Sequence, residues 1–517
     1  MEKSNSFYIT TPIYYVNDIP HIGHAYTTLA CDVIARFKRL DGYNVKFLTG
    51  TDEHGQKVEK SAKTAKIDPQ EFTDNVSQNF RDLTKEMNFS NDDFIRTTED
   101  RHKLACKNLW EKLAASGDIY LGSYAGWYSV RDEAFYTENE LLEKNGQKLA
   151  PTGAEVEWVE EPSYFFRLSA WQDRLLNFYR DNCDFISPNT RRNEVISFVS
   201  GGLEDLSISR TSFNWGVRVP GDDKHIMYVW LDALTNYLTA IDYPDQGAKE
   251  FQMFWPADLH VVGKDILRFH AVYWPAFLMS AGLETPKRIF AHGWWTNEGE
   301  KISKSLGNVI DPVELKNAYG LDQVRYFLLR EVPFGKDGDF SKAAMVQRIN
   351  SELSNDYGNL VQRVMSMVNK NCGSCIPKPH NLEKEDEILL MRLDNLLPEV
   401  RSLIDNQALN QVLGRIWEEI RSANSYIDKQ APWSLKTEDF DRMETVLYVM
   451  TEVIRNIAII TQPFMPSSSG KILDQVGISD NARSFKSFGS SERIIAGTPL
   501  PEPVGVFPRI LDDHKSL

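Results

Sequence analysis

The sequence predicts an α/β protein in which a doubly wound parallel sheet carries an inserted domain and is followed by an α-helical bundle. Strand and helix patterns alternate over residues 7–98 and again over residues 225–293, which is typical of parallel strands joined by crossover helices. Between them, residues 119–222 are rich in Tyr, Trp, Glu and Gly and alternate irregularly. Beyond about residue 341 the apolar residues follow a helical period.

The same changes of pattern predict the domain boundaries. At 517 residues the chain exceeds the size of one hydrophobic core. We expect the first half of the sheet domain at 1–118, the insertion at 119–222, the second half at 223–293, a linking region at 294–345, the helical domain at 346–500 and a tail at 501–517.

The elements of the first half are predicted from composition and periodicity. Residues 7–11 are rich in aromatic and β-branched side chains, which favours a strand. Residues 25–40 repeat apolar side chains at the spacing of a buried helix face. The same criteria predict a strand at 44–49, a helix at 69–87 and a short strand at 94–96.

The second half repeats the alternation, with strands predicted at 225–230, 258–262 and 288–291 and helices at 231–237 and 264–280. In the last helix Ile266, His270 and Trp274 lie four apart, and therefore on one face. This face belongs either to the core or to a ligand pocket, and a buried histidine on it needs a polar partner. Helices of the bundle are predicted at 385–404, 408–429 and 443–460.

Composition and charge exclude several classes of protein. The chain is 42% apolar and 25% charged, and no uninterrupted apolar run is long enough to span a membrane. The N-terminus has no targeting pattern and the five cysteines form no regular framework, so we expect a cytoplasmic protein without a membrane partner. The net charge of −15 argues against sequence-independent nucleic-acid binding, which relies on a basic surface.

The first of two short motifs is His21-Ile22-Gly23-His24, which lies between the first strand and the first long helix. Backbone N–H groups at a helix N-terminus are unpaired and attract anions, and Gly23 leaves room for a ligand. Two imidazoles beside such a terminus make a candidate phosphate site. The alternative is a pair of histidines hydrogen-bonded in a loop.

The second motif is Lys301-Ile302-Ser303-Lys304-Ser305-Leu306-Gly307-Asn308. Two lysines on flexible stems suit a mobile loop that closes over a polyphosphate, and an exposed basic turn is the alternative. A third candidate is Asp52, in the loop 50–55 at the carboxyl end of a predicted strand. It is placed to pair with a substrate ammonium, or to cap the helix that begins at Gln56.

In this order the two motifs resemble the HIGH and KMSKS signatures of class I aminoacyl-tRNA synthetases, with Ile302 in place of a methionine. Other segments, including 124–128 and 160–169, resemble the methionyl-tRNA synthetase family along nearly the whole chain. The resemblance implies a Rossmann-type catalytic domain with a connective insertion, followed by an anticodon-binding helical domain. It implies that L-methionine is activated by ATP with Mg²⁺ to methionyl-adenylate and transferred to the 3′-terminal adenosine of tRNA(Met), including the initiator tRNA. A monomer is expected.

The resemblance also implies roles for individual residues. The catalytic residues would be His21, His24, Lys301 and Lys304. ATP would be bound by these four with Gly23, Gly263, Asp265, His292, Trp294 and Ser303. Asp52 would hold the methionine ammonium, and the methionine side chain would be bound by Pro12, Ile13, Tyr15, Trp230, Ala233, Leu234, Tyr237, Ile266, His270 and Trp274.

Aromatic walls favour a thioether, whose sulfur is a weak acceptor for the Tyr15 hydroxyl or a His270 N–H. Leu234 stands where some relatives carry proline. The CAU anticodon would be read by Asn355, Asn359, Arg363, Asn424, Pro432 and Trp433. Asn and Arg hydrogen-bond splayed bases and Trp433 offers a stacking face. A polar helix face and a helix-end packing residue are the alternatives.

Many members of the family carry zinc knuckles in the insertion. The matching positions here hold Ser129, Asp132, Ala150 and Gly153, none of them Cys or His, so no structural zinc is expected. The pair Cys372 and Cys375 lies far downstream and supplies only half of a zinc site.

Other activities stay open at this point. One alternative is a class I synthetase for another amino acid or a smaller nucleotidyltransferase, and another is a non-catalytic tRNA-binding paralogue. The presence of His21, His24, Asp52, Lys301 and Lys304 argues against the paralogue.

Overall fold

The computed structural model describes residues 5–16, 19–144, 146–302 and 308–511, with the backbone only at Lys301. The chain divides into two compact units. The first consists of Met1–Pro20 with Val45–His292, and the second of His21–Asn44 with Gly293–Leu517.

The strands are, in chain order, β1 (Ser6–Thr10), β2 (Tyr14–Tyr15), β3 (Asn44–Asp52), β4 (Asp93–Arg96), β5 (Ile119–Ser129), β6 (Ala134–Tyr136), β7 (Leu142–Lys144), β8 (Gln147–Leu149), β9 (Glu157–Phe166), β10 (Ile186–Ser187), β11 (Leu206–Ser207), β12 (Ser209–Arg210), β13 (Arg218–Val219), β14 (Asp222–Met227), β15 (Leu259–Gly263), β16 (Ile289–His292), β17 (Trp295–Asn297), β18 (Glu300–Lys301) and β19 (Gly338–Phe340).

The α-helices are α1 (Ile22–Leu40), α2 (Gln56–Ala65), α3 (Pro69–Glu86), α4 (Asp100–Ala115), α5 (Gln172–Asp181), α6 (Asn189–Ser200), α7 (Val229–Leu234), α8 (Asn236–Thr239), α9 (Lys249–Phe254), α10 (Trp274–Ser280), α11 (Pro312–Tyr319), α12 (Leu321–Arg330), α13 (Lys342–Arg348), α14 (Asn359–Asn371), α15 (Lys384–Asp405), α16 (Leu409–Gln430), α17 (Pro432–Glu438), α18 (Phe440–Thr461) and α19 (Pro466–Gln475). Short 3₁₀ helices lie at Glu138–Glu140, Leu168–Trp171, Lys264–Ile266, Asp480–Ala482, Phe485–Ser487 and Gly489–Ser491, and π-helical turns at Phe269–Tyr273 and Ile349–Gly358.

The first unit is built on the predicted parallel sheet. Its strand order is β10-β16-β15-β1-β3-β2, with β4 also paired to β3. The pairs β1–β15, β15–β16, β10–β16, β2–β3 and β3–β4 are all parallel. Strands therefore extend in both directions from β1, which confirms the doubly wound class, and the carboxyl ends that hold ligands in such sheets lie at Thr10, Asp52, Gly263 and His292.

The insertion is antiparallel. Strands β5 and β9 pair along their length, from Ile119 opposite Phe166 to Tyr128 opposite Glu157, and β6 and β11 flank them. Phe166 and Leu206 belong to the same hydrophobic core as Tyr8 of the parallel sheet. The insertion is thus packed against the sheet domain rather than tethered to it, because its inner apolar face needs that cover. The predicted boundaries 119 and 222 stay a prediction.

In the second unit, α1 packs on α12 through a buried ion pair. The Arg325 guanidinium donates to Asp32 Oδ2 at 2.6 Å and to the carbonyl of Phe464 at 2.9 Å, and Arg36 also pairs with Asp32. A buried charge is tolerated when it is paired and hydrogen-bonded. This unit groups α1 with the C-terminal helices, whereas the sequence grouped it with the sheet.

Three elements differ from the prediction. The strand predicted at 225–230 ends at Met227, and Trp230 lies in the helix α7. The single helix predicted at 231–237 is divided into α7 and α8. The single helix predicted at 264–280 consists of a 3₁₀ turn, a π-helical turn and α10. Pro275 has no N–H for the carbonyl of Ala271, which accepts from the Tyr179 hydroxyl at 2.6 Å instead. The helical period is interrupted at this point.

The segment predicted as a tail packs back on the bundle over its described part. The Ile510 backbone exchanges two hydrogen bonds with the Asn350 side chain, and Phe507 lies 5.6 Å from Tyr357 between ring centroids. Among the described helices none is long and apolar enough to cross a membrane.

Candidate active site

In the first unit, Asp52 lies at the carboxyl end of β3, directly opposite Tyr15 of β2 in the parallel register. Its side chain is only 7% exposed, and within the described part of the chain its Oδ1 has no hydrogen-bond partner. Burial, and then the charges of Asp232 and Glu133, raise the pKa of Asp52 well above its usual range. A buried carboxylate oxygen without a donor is an unsatisfied position that a cation would fill.

The apolar residues predicted to bind methionine come together in this unit. Trp230, Ala233 and Leu234 lie on α7, and Tyr237 lies on α8. Pro12, Ala233, Leu234, Tyr237 and Trp274 are buried, whereas Ile13, Tyr15, Trp230 and Ile266 are partly buried and pack on the same core.

The sequence did not single out Phe269, which lies parallel to Trp230 with 3.8 Å between ring centroids. Phe269 precedes His270 in the π-helical turn. The predicted α-helical period could not indicate that its ring stacks on Trp230, since the period is broken there.

His270 contradicts one part of the prediction. Its Nδ1 lies 2.9 Å from the carbonyl of Ile266, which can only accept, so Nδ1 carries the hydrogen and Nε2 accepts from the Tyr237 hydroxyl at 2.7 Å. Burial lowers the pKa of His270 to about 4, so the ring is neutral at neutral pH. The Tyr15 hydroxyl likewise donates to Glu133 at 3.0 Å. Neither hydrogen is therefore available for the methionine sulfur in this arrangement.

A buried network behind the pocket was also missed by sequence reasoning. Asp232 of α7 is bonded at 2.7 Å by both His54, two residues after Asp52, and His102 of α4. Burial raises the pKa of Asp232, but the two imidazoles outweigh burial and lower this pKa well below its usual range. The network holds the loop of Asp52 against the pocket helix, and residues 54, 102 and 232 are too far apart in sequence for any local signal.

In the second unit, the two motif histidines cap their own helix. His21 is the N-cap of α1 and its Nδ1 accepts from Gly23 N–H at 3.1 Å, while His24 Nδ1 accepts from His21 N–H at 3.1 Å. Burial lowers the pKa of His21, and burial together with the His21 ring lowers the pKa of His24 well below the usual value. Both rings are neutral with hydrogen on Nε2, which makes each a donor for a phosphate oxygen.

The second motif, which carries the two lysines, begins in the same unit. Strand β18 ends at Lys301, and Ser303 and Lys304 lie outside the described residues, as does the side chain of Lys301. After the motif, the carbonyl of Ile310 accepts from Ile22 N–H at 3.0 Å. The chain that follows the lysine motif is therefore hydrogen-bonded to the first turn of α1.

The residues predicted near the adenosine divide between the units. Gly263 and His292 are register neighbours at the carboxyl ends of β15 and β16 in the first unit. A Cβ at Gly263 would lie 2.5 Å from Asp265 Oδ1, so the glycine makes room for that side chain. Trp294, in the second unit, has an exposed side chain, and its backbone N–H donates to Asp337 Oδ1 at 2.8 Å.

Side chains of the predicted anticodon set lie on the bundle. Asn355 and Asn359 are exposed, and Asn424 donates to the carbonyl of Asp356 at 2.9 Å. Trp433, next to Pro432 at the start of α17, is 49% exposed. The Arg363 guanidinium lies 5.5 Å from the Trp433 ring centroid, which brings together two residues from separate helices.

Hydrogen bonds connect the two segments in which relatives carry zinc ligands and this chain has none, 129–132 and 150–153. The Asp132 N–H donates to Ser129 Oγ at 3.3 Å, Thr152 donates to the Asp132 carboxylate, and Arg131 donates to Thr152 at 2.9 Å. Within the described ranges, the groups that could hold a metal lie elsewhere, at His102–Cys106–Asp232 and His380–Asp441–Glu444.

We expect the purified protein to contain no stoichiometric zinc, since the turn has no thiolate or imidazole to bind the ion. Chelator treatment, followed by removal of the chelator and return of Mg²⁺, should leave its melting temperature and activity unchanged. Elemental analysis before and after chelation measures this. About one zinc per chain that resists chelation would contradict the prediction.

Comparison with known proteins supports one family along the whole chain. The family described as tRNA synthetases class I (M) matches residues 7–365, and the anticodon binding domain of methionyl tRNA ligase matches residues 376–516. Methionine--tRNA ligases of Rickettsia bellii (strain RML369-C) and Rhizobium meliloti (strain 1021) are 58% and 54% identical, each over 98% of this chain and 99% of the relative. The chain belongs to the class I methionyl-tRNA synthetase family.

A solved structure agrees. Mycobacterium tuberculosis methionyl-tRNA synthetase in complex with methionyl-adenylate is 55% identical, covers 98% of this chain and 100% of its own, and superposes with a TM-score of 0.96. Methionine–tRNA ligase is the enzymatic activity that family membership assigns, and ATP use comes with it. A synthetase for another amino acid and a non-catalytic paralogue, which the sequence left open, are not supported.

Proposed function

We propose that the side chains described above perform methionine–tRNA ligation as follows. Asp52 accepts the methionine ammonium, and the side chain of the amino acid lies among Trp230, Tyr237 and Trp274. The observation that supports this most directly is the buried Asp52 oxygen without a donor, opposite Tyr15 in the sheet and two residues before His54, which bonds Asp232 of the helix that carries Trp230. Because the Tyr15 and His270 hydrogens are already donated, neither is offered to the thioether, which we propose is recognised by packing and sulfur–aromatic contact.

For ATP, we propose that the Nε2–H groups of His21 and His24 donate to phosphate oxygens at the N-terminus of α1, where the helix dipole also favours negative charge. Lys301, Ser303 and Lys304 are proposed to close on the phosphates. Mg²⁺, when bound to ATP, neutralises part of the phosphate charge. Gly263, Asp265, His292 and Trp294 are proposed to bind the adenosine end.

In the first step the methionine carboxylate attacks the α-phosphorus, a new P–O bond forms, and the bond to pyrophosphate breaks. The protein orients the reactants and stabilises the charge that develops on the α-phosphate and the leaving group. In the second step the 2′-hydroxyl of the tRNA terminal adenosine attacks the acyl carbonyl and AMP leaves. Trp433 and its neighbours are proposed to read the anticodon.

The domain boundaries, a monomeric state, a cytoplasmic location and charging of the initiator tRNA stay part of this proposal. They rest on the sequence pattern and on the family.

Amino-acid-dependent ATP–pyrophosphate exchange, measured with each standard amino acid in turn, tests the proposal. We expect exchange with methionine and at least about a hundredfold lower kcat/KM with leucine and valine, because their branched chains do not follow the pocket of an unbranched thioether. Exchange with a different amino acid, or with none, would contradict the assignment of the pocket.

A further inference from the structure

Glu133 is a buried acid in the turn between β5 and β6 of the insertion, far in sequence from every residue assigned to methionine. Its φ of +48° is in the left-handed region that favours glycine. Its side chain is 5% exposed. A strained backbone and a buried carboxylate are both unfavourable, so the contacts that retain them deserve a functional explanation.

The contacts of Glu133 reach two elements of the methionine pocket. Oε1 accepts from the Tyr15 hydroxyl and from the Lys57 N–H of α2, each at 3.0 Å. The backbone carbonyl of Glu133 accepts at 2.9 Å from the hydroxyl of Tyr228, the residue that caps α7. Glu133 thus joins Tyr15, and the start of the helix that carries Trp230, to one turn of the insertion.

The other carboxylate oxygen is held from within the insertion. The Tyr128 hydroxyl donates to Oε2, and the Arg210 guanidinium lies 4.0 Å from the Tyr128 ring centroid. Burial raises the pKa of Glu133, against the hydrogen bonds from Tyr128, Lys57 and Tyr15, which lower it. The acid is therefore clamped from both sides and cannot swing away from Tyr15 without losing several bonds.

A glycine beside this contact shows how closely it is packed. A Cβ at Gly55 would lie 2.8 Å from the Tyr15 hydroxyl oxygen and 3.0 Å from Glu133 Oε1. Tyr15 is also the register neighbour of Asp52. The hydrogen bond between Tyr15 and Glu133 therefore packs directly on the backbone of Gly55, three residues after Asp52.

We propose that Glu133 is a positioning residue of the methionine subsite, through which the insertion fixes the Tyr15 ring and the start of α7 before substrate binds. This inference rests on the proposed function, since it needs Tyr15 and Trp230 to contact methionine. Glu133 itself touches neither substrate. Its effect is preorganisation, which lowers the entropy lost when the ligand binds.

The test is steady-state exchange with methionine and ATP varied separately. For Glu133→Ala we expect the methionine KM to rise about tenfold, because the Tyr15 and Tyr128 hydroxyls lose their acceptor, and the ATP KM to change by less than about twofold. Glu133→Gln should recover most of the methionine KM, since the amide oxygen still accepts from Tyr15 and the amide group donates to Tyr128.

Glu143→Ala, at an exposed acid of the same insertion, is the matched control and should behave as wild type. A double-mutant cycle with Tyr15→Phe adds a second readout. If Glu133 acts through the Tyr15 hydroxyl, the effects of Tyr15→Phe and Glu133→Ala on methionine KM are not additive. If Glu133→Ala does not fold, Tyr15→Phe alone removes the same hydrogen bond and should raise the methionine KM but not the ATP KM, and an unchanged methionine KM would overturn the inference.

Equal changes in both KM values with a lowered melting temperature, or additive effects in the cycle, would overturn the inference and leave Glu133 a fold contact only. Absence of methionine-dependent exchange in the wild-type enzyme would instead overturn the proposed function. The two failures are therefore distinguishable in one set of assays.

Discussion

Asp52→Asn should lower kcat/KM for methionine in ATP–pyrophosphate exchange by about thirtyfold to several thousandfold, the factor that about 2–5 kcal/mol represents. The replacement keeps the shape of the side chain and removes its charge, so the substrate ammonium would be buried without a counter-ion. The loss is expected in the methionine terms rather than in the ATP KM. Steady-state exchange with each substrate varied separately measures it.

Asp173→Asn, at an exposed acid of α5 in the same unit, is the matched control and should leave the kinetics unchanged. An Asp52→Asn enzyme with a wild-type methionine KM and kcat would remove Asp52 from substrate binding and leave it a buried structural carboxylate, since the helix that begins at Gln56 is capped by Gly55 without a side-chain hydrogen bond. Equal loss in the ATP and methionine terms would indicate a folding defect, which the melting temperature would show.

The same residue predicts the direction of a pH dependence. Burial and the charges of Asp232, Glu133 and Glu53 raise the pKa of Asp52, while the backbone N–H of His54 lowers it. Protonated Asp52 has no charge to offer the ammonium, so the methionine KM should rise as the pH falls through this raised pKa and stay level above it until the substrate ammonium itself loses its proton. The Asp52→Asn variant should lack this dependence.

Trp433→Ala should reduce aminoacylation of tRNA by about tenfold to a hundredfold, since stacking of one base on an aromatic ring contributes about 1–3 kcal/mol. The half-exposed ring beside Arg363 is positioned to stack on an unpaired base, and it lies at the start of a short helix of the bundle. Methionine-dependent exchange needs no tRNA and should stay nearly intact. The loss should appear in the apparent tRNA affinity or in kcat/KM for tRNA.

Phe440→Ala offers a control, because Phe440 is an aromatic of similar exposure at the start of α18. It should change neither half-reaction by more than about twofold if base stacking is particular to Trp433. Equal losses in exchange and aminoacylation by the Trp433 variant, with a lowered melting temperature, would show that Trp433 packs the bundle and reads no base.

Much of the fold was accessible from sequence because its signals are local. The aromatic and β-branched run at β1 and the apolar period of α1 each specify an element within a few residues, and both are confirmed. The start of α1 at the histidine motif is confirmed too, since a strand and a helix must be joined there by a turn. The apolar period predicted a single helix at 264–280, and this was wrong, because Pro275 removes a helix hydrogen bond and the turn before it is π-helical.

The residues of the proposed site divide in the same way. Motif and composition determined which side chains are candidates, including Asp52, Trp230 and His270. Only the tertiary structure decided what each can do: the His270 hydrogen is donated to Ile266, Phe269 stacks on Trp230, and Asp232 is bonded by two histidines from different elements. Glu133 reaches Tyr15 across 118 positions of sequence. Hydrogen-bond partners, burial and pKa depend on atoms that the folded chain brings together from distant positions, and no periodicity along the sequence encodes that proximity.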